Sequence, residues 1–246
     1  MTDTDRPTVA LFRPDDDRLG TATETLRELG VEPVGDPMLA IEPTGTQPRE
    51  DAEYTILTSK TGVELASEAG WMPGGTVCAI GASTARALRD AGYTVDIVPE
   101  EYSSEGLVAG LADEVAGSKI EVARSDHGSD ILLDGLETAG GYIHETILYR
   151  LVRPAEAGRS VERAAEGTLD AALFTSSLTV DHFLETAAEQ GVREAAIAGL
   201  NEAIVGVIGA PTRRTAEEVG IMVDVVPDDA DFEVLARTAV EQLETS

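Results

Sequence analysis

Three kinds of short turn in this chain carry residues that could do chemistry. Each kind occurs twice. Arg13 follows the apolar run Val9 to Phe12, and Arg124 follows Ile120 to Ala123. Thr58 and Ser59 follow Tyr54 to Leu57, and Thr175, Ser176 and Ser177 follow Ala171 to Phe174. Gly81 to Thr84 follow Val77 to Ile80, and Gly209 to Thr212 follow Ile204 to Ile208. A turn that leads from a strand into a helix leaves backbone N–H groups unpaired at the positive end of the helix dipole. Anions, carboxylates as well as phosphates, bind at such places. Hydroxyls add donors without adding charge. The simpler role for Thr84 and Thr212 is to cap their helices. Their recurrence in both halves favours instead a ligand with several acidic groups spread over a wide surface.

Other chemistries fit poorly. IGASTA and IGAPTR lack the later glycines of a dinucleotide fingerprint, and no P-loop or G-x-S-x-G elbow occurs. The three histidines, His127, His144 and His182, stand apart without zinc spacing and read as surface or loop residues. Cys78, the single cysteine, lies mid-strand and reads as a small buried hydrophobe. The acidic clusters Asp15 to Asp17 and Asp228 to Asp231 read as solvated loops, and Trp71 as a loop anchor.

The elements that must position these turns alternate. Nine apolar β-type runs are separated by segments with i, i+3, i+4 apolar spacing, many ending at a glycine such as Gly92 or Gly220. This predicts α/β architecture with parallel sheets covered on both faces. Strands are expected at Val95 to Val98 and Val223 to Val226 as well as before each turn. Internal similarity is the stronger signal. Arg13 and Arg124 are offset by 111, Ser59 and Ser176 by 117, and Thr84 and Thr212 by 128. The chain therefore consists of two similar halves, roughly 1–117 and 118–246, and two such halves predict two similar three-layer domains with a cleft between them, beyond the carboxyl ends of the strands.

Composition sets limits. The 246 residues carry 18 Lys+Arg against 46 Asp+Glu, a net charge of −28. Such a surface repels a phosphate backbone, so nucleic acid is excluded as a partner. No apolar run is long enough for a membrane helix, and the polar, acidic segment Met1 to Pro7 lacks the order of a signal peptide. A soluble cytoplasmic protein is expected. Lys60 and Lys119 are the only lysines, and acidic residues are spread along the whole chain, a pattern that suits a high-salt, haloarchaeal-type cytoplasm.

The ordered set VALFRP, YTILTS with Gly62-Val63, AIGASTARAL, SSEGL, ILYRLVRP, LDAALFTSSLTV and VIGAPT resembles the uroporphyrinogen-III synthase family over nearly the whole chain. The resemblance implies two α/β domains joined by a two-stranded linker: 1–37 with 154–246, and 40–146, with links at about 38–42 and 147–153. It implies a cofactor-independent, metal-free hydro-lyase that closes hydroxymethylbilane to uroporphyrinogen III with inversion of ring D. A monomeric state and hand-over from hydroxymethylbilane synthase accompany that expectation. The family pattern places a tyrosine in the second linker, here Tyr149, as proton donor or as the group orienting the leaving hydroxyl. Carboxylate contacts carried over by motif are Arg13, Ser59, Thr84, Arg124, Thr175, Ser177 and Thr212. Ser125 and Ser129 depart from the pattern, where many relatives have a glycine and a basic residue. A non-catalytic two-domain binding protein or sensor for a small anionic ligand is the alternative, sharing the fold without turnover.

Overall fold

The computed structural model describes residues 6–245; Met1 to Asp5, most of the N-terminal segment read above, and Ser246 lie outside the described residues. The chain divides into two compact units. Unit 1 comprises Met1–Ala40 and Val152–Ser246, and unit 2 comprises Ile41–Leu151.

Unit 1 is built on a four-stranded parallel sheet. In spatial order its strands are β2 (Glu32–Gly35), β1 (Thr8–Phe12), β8 (Ala171–Phe174) and β9 (Ile204–Val207). Alternation along β1 sends Val9 and Leu11 to one face, against Leu26 and Leu235, and Ala10 and Phe12 to the other. On the second face Phe12 stacks on Phe174 at 4.5 Å and meets Phe183 edge-on at 5.1 Å. Burying each of these rings contributes about 1.5–3 kcal/mol.

Unit 2 repeats the plan. Its sheet runs β3 (Ala40–Pro43), β7 (Tyr142–Val152), β6 (Lys119–Ser125), β4 (Tyr54–Leu57) and β5 (Thr76–Ala79), and the last four strands are mutually parallel. Thus β6 and β4 are the counterparts of β1 and β8, each at the centre of its sheet, and β5 is the counterpart of β9. The core of unit 2 lies on both sheet faces, with Leu57, Leu88 and Leu148 on one and Ile56, Leu107 and Val122 on the other. Trp71, fully buried, packs on Tyr93 at 5.1 Å and anchors the turn after α2 (Lys60–Glu68).

Side chains set the helix starts. Ser59 caps α2, Ser103 caps α4 (Ser104–Leu111), Ser129 caps α5 (Asp130–Thr138), and Ser176 caps α7 (Ser177–Glu189). Asp16 and Asp231, read as solvated loop acids, do the same for α1 (Asp17–Glu28) and α10 (Phe232–Leu243). Gly92 and Gly220 take φ of 90° and 89° after α3 (Ala82–Asp90) and α9 (Ala210–Glu218), the left-handed stop expected of them.

Several expectations are corrected. The runs at 95–98 and 223–226 form isolated bridges, Cys78 with Ile97 and Gly206 with Val225, because only one residue of each pairs in register. Two helices escape the periodicity: α6 (Arg159–Ala165) and α8 (Arg193–Leu200) are short and rich in alanine, so they show little polar contrast. Of the 11 residues by which the second half outgrows the first between its TS and glycine turns, four lengthen α7 relative to α2 and seven fall in the connection that holds α8. His182 is not a surface residue. It is buried in α7, its ring Nδ1 bonded to the Met38 carbonyl.

Candidate active site

At the carboxyl ends of β4 and β6 in unit 2 lies a cavity of about 300 Å³. Its lining includes Thr58, Ser59, Arg124, Ser129 and Tyr149. Parallel strands bring these residues together: Tyr54 to Leu57 pair with Ile120 to Ala123, and Ser125 pairs with Tyr149 across a register shift at Arg124/Ser125. That irregularity lets β7 turn Tyr149 into the core face, where it packs with Leu57, Val63 and Leu148. Its hydroxyl donates to Ser59 Oγ at 3.0 Å, while the same Oγ accepts the Gly62 N–H at 2.9 Å. Ser59 is therefore fixed as the cap of α2, and Tyr149 is fixed against Ser59.

Arg124 stands inside β6 rather than after it, and is only 5% exposed. Each nitrogen of its guanidinium has a partner. Nε pairs with Glu145, Nη1 donates to the Ser129 carbonyl at 2.6 Å, and Nη2 reaches Asp130 at 3.5 Å. A Cβ at Gly128 would lie 2.5 Å from Arg124 Cδ, so the 125–130 loop is wrapped directly on this side chain. Next to it, burial would raise the Asp126 carboxyl, but hydrogen bonds from His127 and the Leu151 N–H outweigh this and hold it below the ordinary range.

The corresponding arginine of unit 1 is placed differently. Arg13 is 8% exposed at the end of β1, and its guanidinium sits 5.6 Å from the Phe232 ring centroid. Among the described residues it makes no hydrogen bond or ion pair, and its Nε is buried without a partner. Burial lowers its pKa, opposed by nearby Asp16 and assisted by Arg18. The neighbouring turn holds Thr175, which donates to the Phe12 carbonyl at 3.1 Å, and Ser177, half-buried at the start of α7.

Thr84 and Thr212 do not cap their helices. Gly81 and Gly209 occupy those positions, and each threonine lies in the first turn, 4% and 3% exposed. Neither hydroxyl bonds to a described residue. Sequence reasoning leaves Thr58 and Ser129 out of the site residues, although both line the cavity of unit 2. Thr58 adjoins Ser59 and is legible from the repeat; Ser129 is not, because its carbonyl and not its side chain meets Arg124.

No group of three or more metal-ligating side chains occurs among the described residues, and no described helix is long and apolar enough to cross a membrane. The unit 2 cavity presents hydroxyls and one arginine already neutralised. A larger depression of about 530 Å³ at the opposite, amino ends of β4 and β5 is lined by Glu50, Asp51, Glu53 and Asp96, which would repel an anion.

Duplicated parallel α/β units with hydroxyl-bearing turns at their strand ends define a class that holds its ligand by strand-end loops. The family model for uroporphyrinogen-III synthase HemD matches residues 21–237. This chain belongs to the uroporphyrinogen-III synthase family, a family of lyases. A provisionally named uroporphyrinogen-III synthase of Methanothermobacter thermautotrophicus is 35% identical over 149 residues, covering 59% of this chain and 58% of that relative. Another from Archaeoglobus fulgidus is 27% identical over 92% of this chain and 94% of that one. Among solved structures, a mutant uroporphyrinogen III synthase from Thermus thermophilus superposes with TM-score 0.73 at 20% identity, over 98% of this chain and 100% of that one, and so shares the fold.

Proposed function

We propose that this protein closes hydroxymethylbilane to uroporphyrinogen III, inverting ring D and releasing water. The observation that carries the reading to chemistry is the Tyr149–Ser59 hydrogen bond in a strand-end cavity of unit 2. The reaction begins with departure of hydroxide from a hydroxymethyl group, which a proton donor assists. Tyr149 is that donor or the group orienting the leaving hydroxyl. Its proton, directed at Ser59 Oγ, turns to the departing oxygen, and water leaves. The resulting azafulvene is attacked by the substituted carbon of ring D, giving a spiro intermediate that fragments and recloses, and the proton lost on reclosure replaces the one given to the departing hydroxide. Much of the acceleration comes from holding the two chain ends together.

The substrate carries eight carboxylates, and the cavity of about 300 Å³ suits one part of it. Ser59, Thr84, Ser177 and Thr212 offer uncharged donors, Thr175 offers one if it gives up its bond to the Phe12 carbonyl, and Arg13 offers a charge that makes no hydrogen bond or ion pair with a described residue. Arg124, tied to Glu145 and Asp130, shapes the loop that lines the cavity. The net charge of −28, with two lysines among 18 basic residues, supports a high-salt cytoplasm in which acidic surfaces are screened. Incubation with enzymatically generated hydroxymethylbilane, then oxidation and isomer analysis, tests the reading. Type III product is expected; type I alone, the spontaneous outcome, would leave a binding protein.

A further inference from the structure

The two units differ beside their glycine turns. The 128-residue offset that relates Gly81 to Gly209 also relates Arg86 to Arg214, Arg89 to Glu217 and Tyr102 to Ala230. In unit 1, Glu217 accepts from the Arg213 guanidinium at 2.7 Å, and alanine stands where unit 2 has an aromatic ring. In unit 2, Arg86 and Arg89 are exposed on α3 and make no hydrogen bond or ion pair with a described residue. Residues three apart on a helix are neighbours, about 5–6 Å between Cβ atoms, and their long side chains lean towards the helix start. Both arginines wall one cavity of about 380 Å³, with Val98 and Tyr102 across from them. Asp90 brings one carboxylate to that lining, against two guanidiniums.

Tyr102 is 64% exposed, and its side chain lies on Gly81: a Cβ there would be 3.1 Å from Tyr102 Cβ and 3.3 Å from Cγ. An aromatic face left open in this way is surface that a flat ring would cover. The cavity also adjoins the one that holds Tyr149. Ile80 and Ser104 line that first cavity, and Ala82 and Tyr102, each two residues away, line this one. Cavities of about 300 and 380 Å³ are both at the small end for ligand sites, so a four-ring substrate seated in one extends beyond it.

We propose that the α3 cavity is a second substrate subsite, which takes one pyrrole ring of hydroxymethylbilane against Tyr102 and the two carboxylate arms of that ring on Arg86 and Arg89. The eight carboxylates of the substrate are spread over four rings, two per ring on neighbouring carbons, a spacing that two guanidiniums one helical turn apart can meet. Guanidinium–carboxylate hydrogen bonds are charge-assisted and can be bidentate. A lone phosphate or a single carboxylate would leave one arginine and the Tyr102 face unused. Arg86 and Arg89 do not line the cavity with Tyr149, so they set affinity rather than chemistry. The subsite rests on the proposed synthase substrate.

Steady-state kinetics of the full chain with enzymatically generated hydroxymethylbilane, beside fluorescence titration with uroporphyrin III and coproporphyrin III, tests it. Uroporphyrin III keeps two carboxylates on each ring; coproporphyrin III has methyl groups in place of the acetate arms and keeps one. Arg86→Gln and Arg89→Gln change exposed positions, and each is expected to raise KM at least about threefold, within the range of an exposed ion pair, with kcat little changed. Each is expected to weaken uroporphyrin III binding by a similar factor and coproporphyrin III binding less. Tyr102→Phe should keep the native KM, and Tyr102→Ala should raise it. Arg27→Gln, an equal change of charge on α1, should leave KM as it is. Unchanged KM and uroporphyrin III affinity in both arginine variants, or an equal rise in KM for Arg27→Gln, overturns the subsite, while type III product from the native chain leaves the reaction standing. Type I product alone from the native chain overturns the reaction, and the subsite with it.

Discussion

The Tyr149 hydroxyl donates a 3.0 Å hydrogen bond to the oxygen with which Ser59 caps α2. The group assigned to proton donation is thereby held by the same atom that starts a helix, so position and fold stability are coupled at one oxygen. Tyr149→Phe removes the proton and keeps the ring. Turnover is expected to fall by about 10²-fold, the low end for acid catalysis, without vanishing. Ser59→Ala should lower stability by about 1 kcal/mol through loss of the cap, and its effect on turnover should not add to that of Tyr149→Phe. Steady-state rates of the single and double variants, with thermal melts, decide this; an unchanged turnover number in Tyr149→Phe removes the residue from the mechanism.

Arg13 and Arg124 occupy equivalent places and should respond oppositely. Arg124→Met strands Glu145 and frees the 125–130 loop. Because Glu145 is itself a third exposed, the expected loss is about 2 kcal/mol, below the range for fully buried pairs. Arg13→Met removes a buried cation that makes no hydrogen bond or ion pair with a described residue, so stability should hold or rise while KM rises. Melting temperatures and KM measured side by side separate the two roles.

Thr84 and Thr212 are buried with hydroxyls that bond to no described residue. Thr→Val at either site keeps shape and is expected to leave stability within about 1 kcal/mol. If the hydroxyls serve substrate carboxylates, KM climbs severalfold; an unchanged KM in both variants assigns them to packing alone.

Burial pushes the Cys78 thiol up to about 12. The folded protein therefore keeps a proton that the unfolded chain releases near pH 9, so this group's contribution to stability is lost as pH rises from about 9 towards 12, at up to about 1.4 kcal/mol per pH unit. Denaturation midpoints of the native chain and Cys78→Ala should converge over that window. Native Cys78 should also resist iodoacetamide at pH 8 and react on unfolding; fast native labelling contradicts the burial.

The alternation of strands and helices, the repeat offsets and the strand-end location of the turns were written in the sequence, because periodicity and internal similarity are local properties that survive without coordinates. Arg13 and Arg124 show where that stops. The same residue type at the same repeat position has no hydrogen-bond or ion-pair partner among the described residues in one unit and is neutralised in the other, since Glu145 and Asp130 arrive from β7 and α5. Capping was the simpler of two roles the spacing of Thr84 allowed; backbone geometry gave the cap to Gly81. The partnership of Tyr149 with Ser59, ninety residues apart in sequence, and the row Thr55–Glu121–His144 across β4, β6 and β7 follow from strand register. Register is set by which faces can be buried together, a property of the assembled sheets rather than of any one segment, so those pairings were decided only by the tertiary structure.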